Sequence, residues 1–429
     1  MIRGRLTKRG APLVVTLLVV TSGMAFSFFW LRITQTGLYH GFWLTPGDLW
    51  SSYRTAHWVG WGAFGSLYSA TGGFLTFPGL AILLSPVAMF TRALGLSECF
   101  PYMIPHPTAW LVIGPVEMLF GCTSLFALDS LGSRLGVKTS RRWILCTIQG
   151  FALWPILVLW GHPEDAISLA LAVYALISVM DRRWTRAGWL FGAAVCFQPL
   201  VLLLLPLCIG RVGMRNVSPF LGRSLAPSVA LLSLPFLTDW HDTWRAVVTQ
   251  PTELTLAHVT PWTSIAPQVA SGIVACGPTR LVAILGSILF GWYAARRRSN
   301  DLTLVYFASL CIALRFVSES ALEGYYIWPF VALFLVVGSN GSRSKFLVTG
   351  SLAIGMTVAT ARHFGPWWIW WGVAVLELVM ATLISRPRVG HLSQFADRAN
   401  SPPKTPNEDP GGSEEAVPGS IPLILERAL

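Results

Sequence analysis

The stretch PGLAILLSPVAMFTRALGL, residues 78–96, decides how the chain is threaded through a membrane. It is apolar enough to be a membrane span. If it spanned, the next apolar segment, 108–130, would run outward and leave the basic loop 134–142 outside, although Lys and Arg favour cytoplasmic loops. If it lies along the membrane surface, interrupted by Pro86, this loop and every later basic loop are cytoplasmic. The charge pattern therefore predicts an interfacial segment.

The composition is that of a membrane protein. Of the 429 residues, 53% are hydrophobic and 12% are charged, whereas a soluble domain has about 25% charged residues. The net charge of +11 does not indicate a nucleic-acid partner, because Lys and Arg occur in short runs between apolar segments, as in cytoplasmic loops. The basic start MIRGRLTKRG and its apolar run lack a small-residue cleavage site, which predicts a retained first helix and a cytoplasmic N-terminus.

We predict an all-α, polytopic integral membrane protein with about twelve transmembrane helices and with interfacial helices in the first outer loop, 34–107. This membrane domain covers 1–389, and the Pro-, Gly-, Ser- and Glu-rich tail 390–429 is predicted to be a disordered cytoplasmic segment. Pro199 breaks one apolar stretch into two short halves, which is tolerated only where protein or a cavity shelters the backbone. The expected spans are 11–33, 108–130, 143–160, 165–181, 187–198, 199–211, 222–238, 278–295, 301–317, 325–338, 345–361 and 367–385.

With this topology, acids, histidines and isolated arginines gather at the outer ends of the helices, beyond what membrane insertion requires. Ionisable groups of this kind are candidates for function. A transporter would place such groups at mid-depth, within reach of both sides, so the pattern favours a site at one face. The candidate residues are Asp48, Arg54, His57, His162, Glu164, Gln198, His258, Arg315, Tyr325 and Tyr326.

Four stretches carry a family resemblance. They are LYSATGGFLTFPGLAILLSPVA (67–88), which follows the early Asp, GHPEDAISLAL (161–171), AGWLFGAAVCFQPLVLLLLPL (187–207) and YYIWPFVALFL (325–335). The first resembles the Asp, LYD and YPPL signature of the GT-C glycosyltransferases, polytopic enzymes that use polyprenyl-phosphate sugars. The others are similar to the GHPEE turn, the broken helix and the late YY helix start of their actinobacterial α-mannosyltransferase branch.

The resemblance implies inverting transfer of a sugar, expected to be mannose, from a polyprenyl monophosphate donor to a hydroxyl of a glycolipid or glycan acceptor. It implies a multi-pass plasma-membrane protein with its active site at the outer face, and no cofactor. Asp48 would be the general base, Glu164 would bind the acceptor or order Asp48, and cations would bind the leaving phosphate. The alternative is a transporter of lipid-linked sugars or a catalytically silent relative that binds prenyl-phosphate.

Three departures from the family pattern keep this alternative open. The family's lysine in the broken helix is Gln198, so another cation, Arg54, Arg315 or Arg362, would have to bind phosphate. The family's YPP is FPG at 77–79. The arginine that follows the catalytic Asp in the family is displaced.

Several candidates also have a structural interpretation. Asp48 follows Pro and Gly and precedes LWSSYRTA, a pattern typical of a helix N-cap. Glu164 and Asp165 open a helix, where acids interact favourably with the helix dipole. Arg315 binds phosphate or pairs with Glu319.

The remaining candidates leave similar alternatives. His162 and His258 bind phosphate or sugar, or are structural histidines at the interface, and Tyr325 and Tyr326 first indicate an interfacial aromatic belt. No acid pair adjoins Asp48, so no metal site is predicted. The seven cysteines lack metal-binding spacings, and a Cys99–Cys276 disulfide is an option.

Overall fold

The computed structural model describes residues 10–33, 43–69, 77–98, 106–253, 259–296, 299–362 and 369–387. Within these ranges the chain is mainly α-helical, which confirms the predicted helical class. The helices are α1 Gly10–Ile33, α2 Gly47–Gly60, α3 Gly79–Ala93, α4 Trp110–Gly121, α5 Thr123–Arg134, α6 Thr139–Pro155, α7 Pro163–Met180, α8 Trp184–Phe197, α9 Leu205–Ile209, α10 Met214–Thr238, α11 Trp240–Thr249, α12 Arg280–Arg296, α13 Asp301–Ser318, α14 Trp328–Ser339, α15 Arg343–Arg362 and α16 Ile369–Ser385.

Six helical stretches in the described part are long and apolar enough to cross a membrane. They are Gly10–Phe29, Trp110–Arg134, Thr139–Trp160, Pro163–Met180, Met214–Thr238 and Asp301–Ser318. Four further apolar helical stretches are shorter than these: Gly79–Ala93, Pro199–Ile209, Gly324–Ser339 and Ile369–Ser385. The described part therefore has the helices of a membrane protein, and the total of about twelve spans stays a prediction.

Proline acts differently at the two predicted breaks. α8 ends at Phe197 and a 3₁₀ turn, Pro199–Leu204, precedes α9, so the break at Pro199 is confirmed. Pro86 lies inside α3, so the predicted interruption of 78–96 is wrong. A proline removes one helical hydrogen bond and crowds the preceding turn, but α3 packs along α2, which supports a continuous helix. With 15 residues, α3 is shorter than the roughly 17–25 residues of a span, and its interfacial placement stays a prediction.

The all-α prediction missed a small antiparallel sheet that follows α11. Strands β1 (Thr252–Glu253) and β2 (Gln268–Ala270) both pair with β3 (Ile273–Val274). Each strand has two or three residues. Strands this short are below the four to eight residues over which an alternating pattern can be recognised.

The basic loops meet at one end of the helices. Arg134 is at the end of α5, and its Nε lies 3.1 Å from Oδ1 of Asp181, after α7. Its Nη2 lies 3.2 Å from Oδ2 of Asp301, at the start of α13. α7 has 18 residues, so at 1.5 Å per residue its two ends are about 27 Å apart. The start of α7, with His162 and Glu164, is therefore at the opposite end of this helix from the basic loops.

Candidate functional site

The turn between α6 and α7 allows α2 to approach the start of α7. Gly161 has a φ of 71°, in the left-handed region that favours glycine. A Cβ atom at Gly161 would lie 2.7 Å from Cβ of Pro46 and 2.8 Å from Cβ of Leu49. Glycine therefore permits the first turn of α2, which contains Asp48, to contact His162.

His162 connects Asp48 with Glu164. Its Nε2 lies 3.0 Å from Oδ2 of Asp48, and its Nδ1 lies 2.7 Å from Oε1 of Glu164. Burial alone would lower the pKa of His162, but the Glu164 carboxylate and the hydrogen bonds with Asp48 and Glu164 raise this pKa well above its ordinary value. The imidazole then carries a proton on both nitrogens and donates to both carboxylates.

Asp48 is the accessible member of this group. Its side chain is 69% exposed, whereas those of His162 and Glu164 are 10% and 2% exposed. Asp48 does not cap α2, because the helix begins at Gly47 and no side chain caps its start at Pro46. The N-cap interpretation is therefore wrong, and Asp48 lies in the first turn with its carboxylate directed to His162.

Asp165 binds Gln198 at the break after α8. The Gln198 Nε2 atom donates to Oδ1 of Asp165 at 2.9 Å, and both residues are buried. The uncharged amide of Gln198 thus lies beside a buried acid. We refer to Asp48, His162, Glu164 and Asp165 as the His162 cluster.

Arg315, on α13, lies beside this cluster. Its Nε donates to Oε2 of Glu319 at 3.1 Å, which confirms the predicted pairing, and its charge interacts with that of Asp165. Arg280 binds the other oxygen of Glu319, with Nε 2.8 Å from Oε1. The Nη1 atom of Arg315 is buried and has no hydrogen-bond partner within the described ranges. Among the described residues, this N–H group therefore has hydrogen-bonding capacity that is not used.

Two tyrosines fill the space between His162 and Arg315. The ring of Tyr325 stacks on His162, with centroids 4.0 Å apart and planes at 22°. Tyr326 packs edge-on against Tyr325 at 4.9 Å, and Arg315 Cζ lies 4.1 Å from the Tyr326 ring centre, a cation–π contact. Both tyrosines therefore belong to the site, which the belt interpretation does not anticipate.

Other predicted residues lie apart or outside the described ranges. His57 has its Nε2 2.9 Å from Oε1 of Glu98, after α3, and packs edge-on against Tyr53. Arg54 lies over the ring of Trp58 at 5.1 Å. Outside the described residues are His258, the side chain of Arg362, Cys99 of the optional disulfide, and the tail 390–429.

Sequence reasoning missed Glu117, on α4. Its side chain is fully buried, and neither carboxylate oxygen has a hydrogen-bond partner in the part of the chain that the structure describes. Its charge interacts with those of Glu164 and His162. Glu117 lies in the middle of the apolar segment 108–130, whereas the other acid of this segment, Asp129, lies near its end. This position is the signal that identifies Glu117, because acids within apolar segments are rare and usually functional.

The site combines an exposed carboxylate, a buried imidazole that orients it, and a buried arginine with an N–H group that no described residue binds. Such an arrangement can take a proton from a hydroxyl and bind an anionic leaving group. The sequence matches no protein-family model and no curated protein.

Proposed function

We propose that this protein is a membrane glycosyltransferase. It transfers a sugar, with mannose as the expected one, from a polyprenyl monophosphate to a hydroxyl of a glycolipid or glycan, with inversion at the anomeric carbon. The reaction takes place at the outer face of the plasma membrane, and both termini are cytoplasmic. The observation that carries this proposal is the exposed Asp48 carboxylate, which the buried His162 binds at 3.0 Å.

Asp48 acts as the general base. It accepts the proton of the acceptor hydroxyl while that oxygen forms a bond to the anomeric carbon. The bond between this carbon and the phosphate oxygen breaks, and its electron pair leaves with the polyprenyl phosphate. A base positioned in this way contributes roughly 10²–10⁴-fold to the rate.

Arg315 binds the leaving phosphate. Its Nη1 has hydrogen-bonding capacity that no described residue uses, and the bond with Glu319 and the contact with Tyr326 fix the guanidinium plane. A cation held in place before the reaction stabilises the charge that develops on the phosphate without reorganisation. The faces of Tyr325 and Tyr326 that His162 and Arg315 do not cover contact the sugar.

The second candidate is a silent relative, or a transporter, that binds the lipid-linked sugar without transferring it. The observation that favours it is Gln198, whose uncharged amide donates to Asp165 at the position of the family's lysine. Such a protein binds polyprenyl phosphate through Arg315 and leaves the sugar on its carrier.

A transfer assay separates the two candidates. Purified protein in lipid nanodiscs receives polyprenyl-phosphate mannose with a radiolabelled sugar and candidate acceptor lipids. We expect a labelled product from the wild type and from the control Asp181→Asn, since Asp181 lies at the far end of α7 and pairs with Arg134. We expect none above background from Asp48→Asn. Donor binding without transfer by the wild type would favour the second candidate.

A further inference from the structure

Three metal-ligating side chains meet at the start of α7. His162, Glu164 and Asp165 are buried, and one ligand atom from each lies within 4.8 Å of the others. Oε2 of Glu164 and Oδ2 of Asp165 are buried without a hydrogen-bond partner among the described residues. A buried carboxylate oxygen is normally satisfied by a donor or a cation. A bound cation would satisfy these two oxygens, which no described side chain does.

Glu117 adds an independent indication from another helix. It lies on α4, which packs against α7, and its side chain is 0% exposed. Both of its carboxylate oxygens lack a hydrogen-bond partner in the described part of the chain, and it interacts electrostatically with Glu164 and His162. Buried carboxyl groups of α4 and α7 are thus close enough to one another to interact.

We propose that His162, Glu164 and Asp165 bind one divalent cation, and that this cation is Mn²⁺. Carboxylates suit Mg²⁺, Ca²⁺ and Mn²⁺, whereas imidazole suits transition metals such as Zn²⁺, Fe²⁺ and Ni²⁺. In this set carboxylates outnumber the imidazole, and Mn²⁺ is the one carboxylate-preferring ion of the three that is itself a transition metal. Glu117 contributes a further carboxylate beside the ion.

The orientation of His162 suits a ligand. Its Nε2 contacts Oδ2 of Asp48 at 3.0 Å, and metal-binding histidines commonly donate their second N–H to a carboxylate in this way. The distance of 2.7 Å between its Nδ1 and Oε1 of Glu164 is close to the about 3.0 Å between adjacent ligands of an octahedral ion with bonds of about 2.1 Å. The ion replaces the Nδ1 proton, which is released to solvent.

The cation would lie next to Asp48. A role for it in stabilising the leaving phosphate together with Arg315 rests on the proposed function. Binding of the ion itself requires neither donor nor acceptor, so the two proposals can fail separately.

Binding is measured on the full-length protein in nanodiscs, after treatment with EDTA and without sugar donor or acceptor. The electron paramagnetic resonance signal of free Mn²⁺ reports how much ion is bound. We expect one Mn²⁺ per wild-type protein and an affinity at least about 10-fold lower in Glu164→Gln and in Asp165→Asn, since even outer-shell changes cost roughly 10–100-fold. The control Asp181→Asn should bind as the wild type does.

A second measurement does not depend on the folding of any variant. Pulsed resonance spectra of Mn²⁺ bound to the wild type should show nitrogen coupling from the His162 imidazole. Absence of saturable Mn²⁺ binding, bound Mn²⁺ without nitrogen coupling, or unchanged affinity in both acid variants would overturn the site. Binding of Zn²⁺ but not Mn²⁺ would overturn the choice of ion. Sugar transfer by a metal-free protein would leave the binding result standing and remove the catalytic role.

Discussion

A single exposed carboxylate is accessible to substrate but is poorly fixed in orientation. Here Asp48 provides the access, and the buried His162 fixes its orientation. The Asp48 side chain is 69% exposed and that of His162 is 10% exposed. His162 is in turn held by Glu164 and by the stacked ring of Tyr325. A buried, hydrogen-bonded neighbour can thus orient an exposed group, as precise functional geometry requires.

The substitution Asp48→Asn tests the base directly. Asn keeps an oxygen that accepts from His162 but cannot take a proton, so turnover should fall by roughly 10²–10⁴-fold. The melting temperature should change little, because the side chain is largely exposed. Turnover and thermal unfolding are measured on the same preparation. Turnover near the wild-type rate would end the assignment of Asp48 as the base and direct attention to Glu164.

Arg315→Lys tests the phosphate contact. Lysine keeps the charge but lacks the planar fork that reaches Glu319 and an anion together, so kcat should fall by roughly 10²–10³-fold, the effect of losing one transition-state donor. The matched control is Arg280→Lys, which also contacts Glu319. Equal losses in both variants would mean that Arg315 acts only through Glu319.

At this scale the sequence identified residue types better than partners. The GHPED turn, Gln198, Arg315 and the tyrosine pair could be predicted from motifs and from their places at helix ends, and the structure brings them together. The bond between Gln198 and Asp165 and the contact of Arg280 with Glu319 could not, because each joins side chains on different elements. His57 was predicted as a site residue, but it pairs with Glu98 instead. This pairing depends on how α2 and α3 pack, which the sequence does not show.

At the scale of elements, Gly161 allows the close approach of α2 to the start of α7 that brings Asp48 to His162. Gly161→Ala introduces a Cβ that would lie 2.7 Å from Pro46, in a backbone conformation that itself costs about 1–3 kcal/mol for a non-glycine residue. We expect a lower melting temperature and a loss of transfer, because α2 must move away from His162.

Gly136→Ala is the matched control for this prediction. Gly136 has a similar φ of 77°, but a Cβ there would have no atom within 4 Å. It should therefore incur the backbone cost alone and keep its transfer activity. Equal effects of the two substitutions on activity would show that the contact of α2 with this turn does not position Asp48.

Helices could be predicted from apolar runs, whereas their interruptions depended on context. Pro199 follows a residue with extended backbone, Gln198, and begins a 3₁₀ turn, so the break expected from the sequence exists. Pro86 lies within α3, where the same residue type does not end the helix. A proline thus marks a possible break, and the packing of the neighbouring helix decides whether the chain uses it.

At the scale of the whole molecule, the structure places the basic loops and the His162 cluster at opposite ends of α7. The charge pattern then predicts which end is cytoplasmic. The ion pairs of Arg134 with Asp181 and Asp301 join three loops at one end. The His162 cluster lies at the other end of α7, about 27 Å away by helix length. If the loops with excess Lys and Arg are cytoplasmic, the His162 cluster faces outward.

Labelling of single cysteines on intact cells tests this assignment. Cys99 and Cys276 are first replaced by serine, since the five other cysteines, all buried, should not react. Ser140→Cys, in the first turn of α6 and within the basic segment 134–142, should remain unlabelled by a membrane-impermeant maleimide until the cells are opened. Ser271→Cys, in the turn between β2 and β3, should be labelled at once, because both serines are exposed. Labelling at 140 without labelling at 271 would reverse the topology. Asp48 would then face the cytoplasm, and a donor confined to the outer leaflet could not reach it.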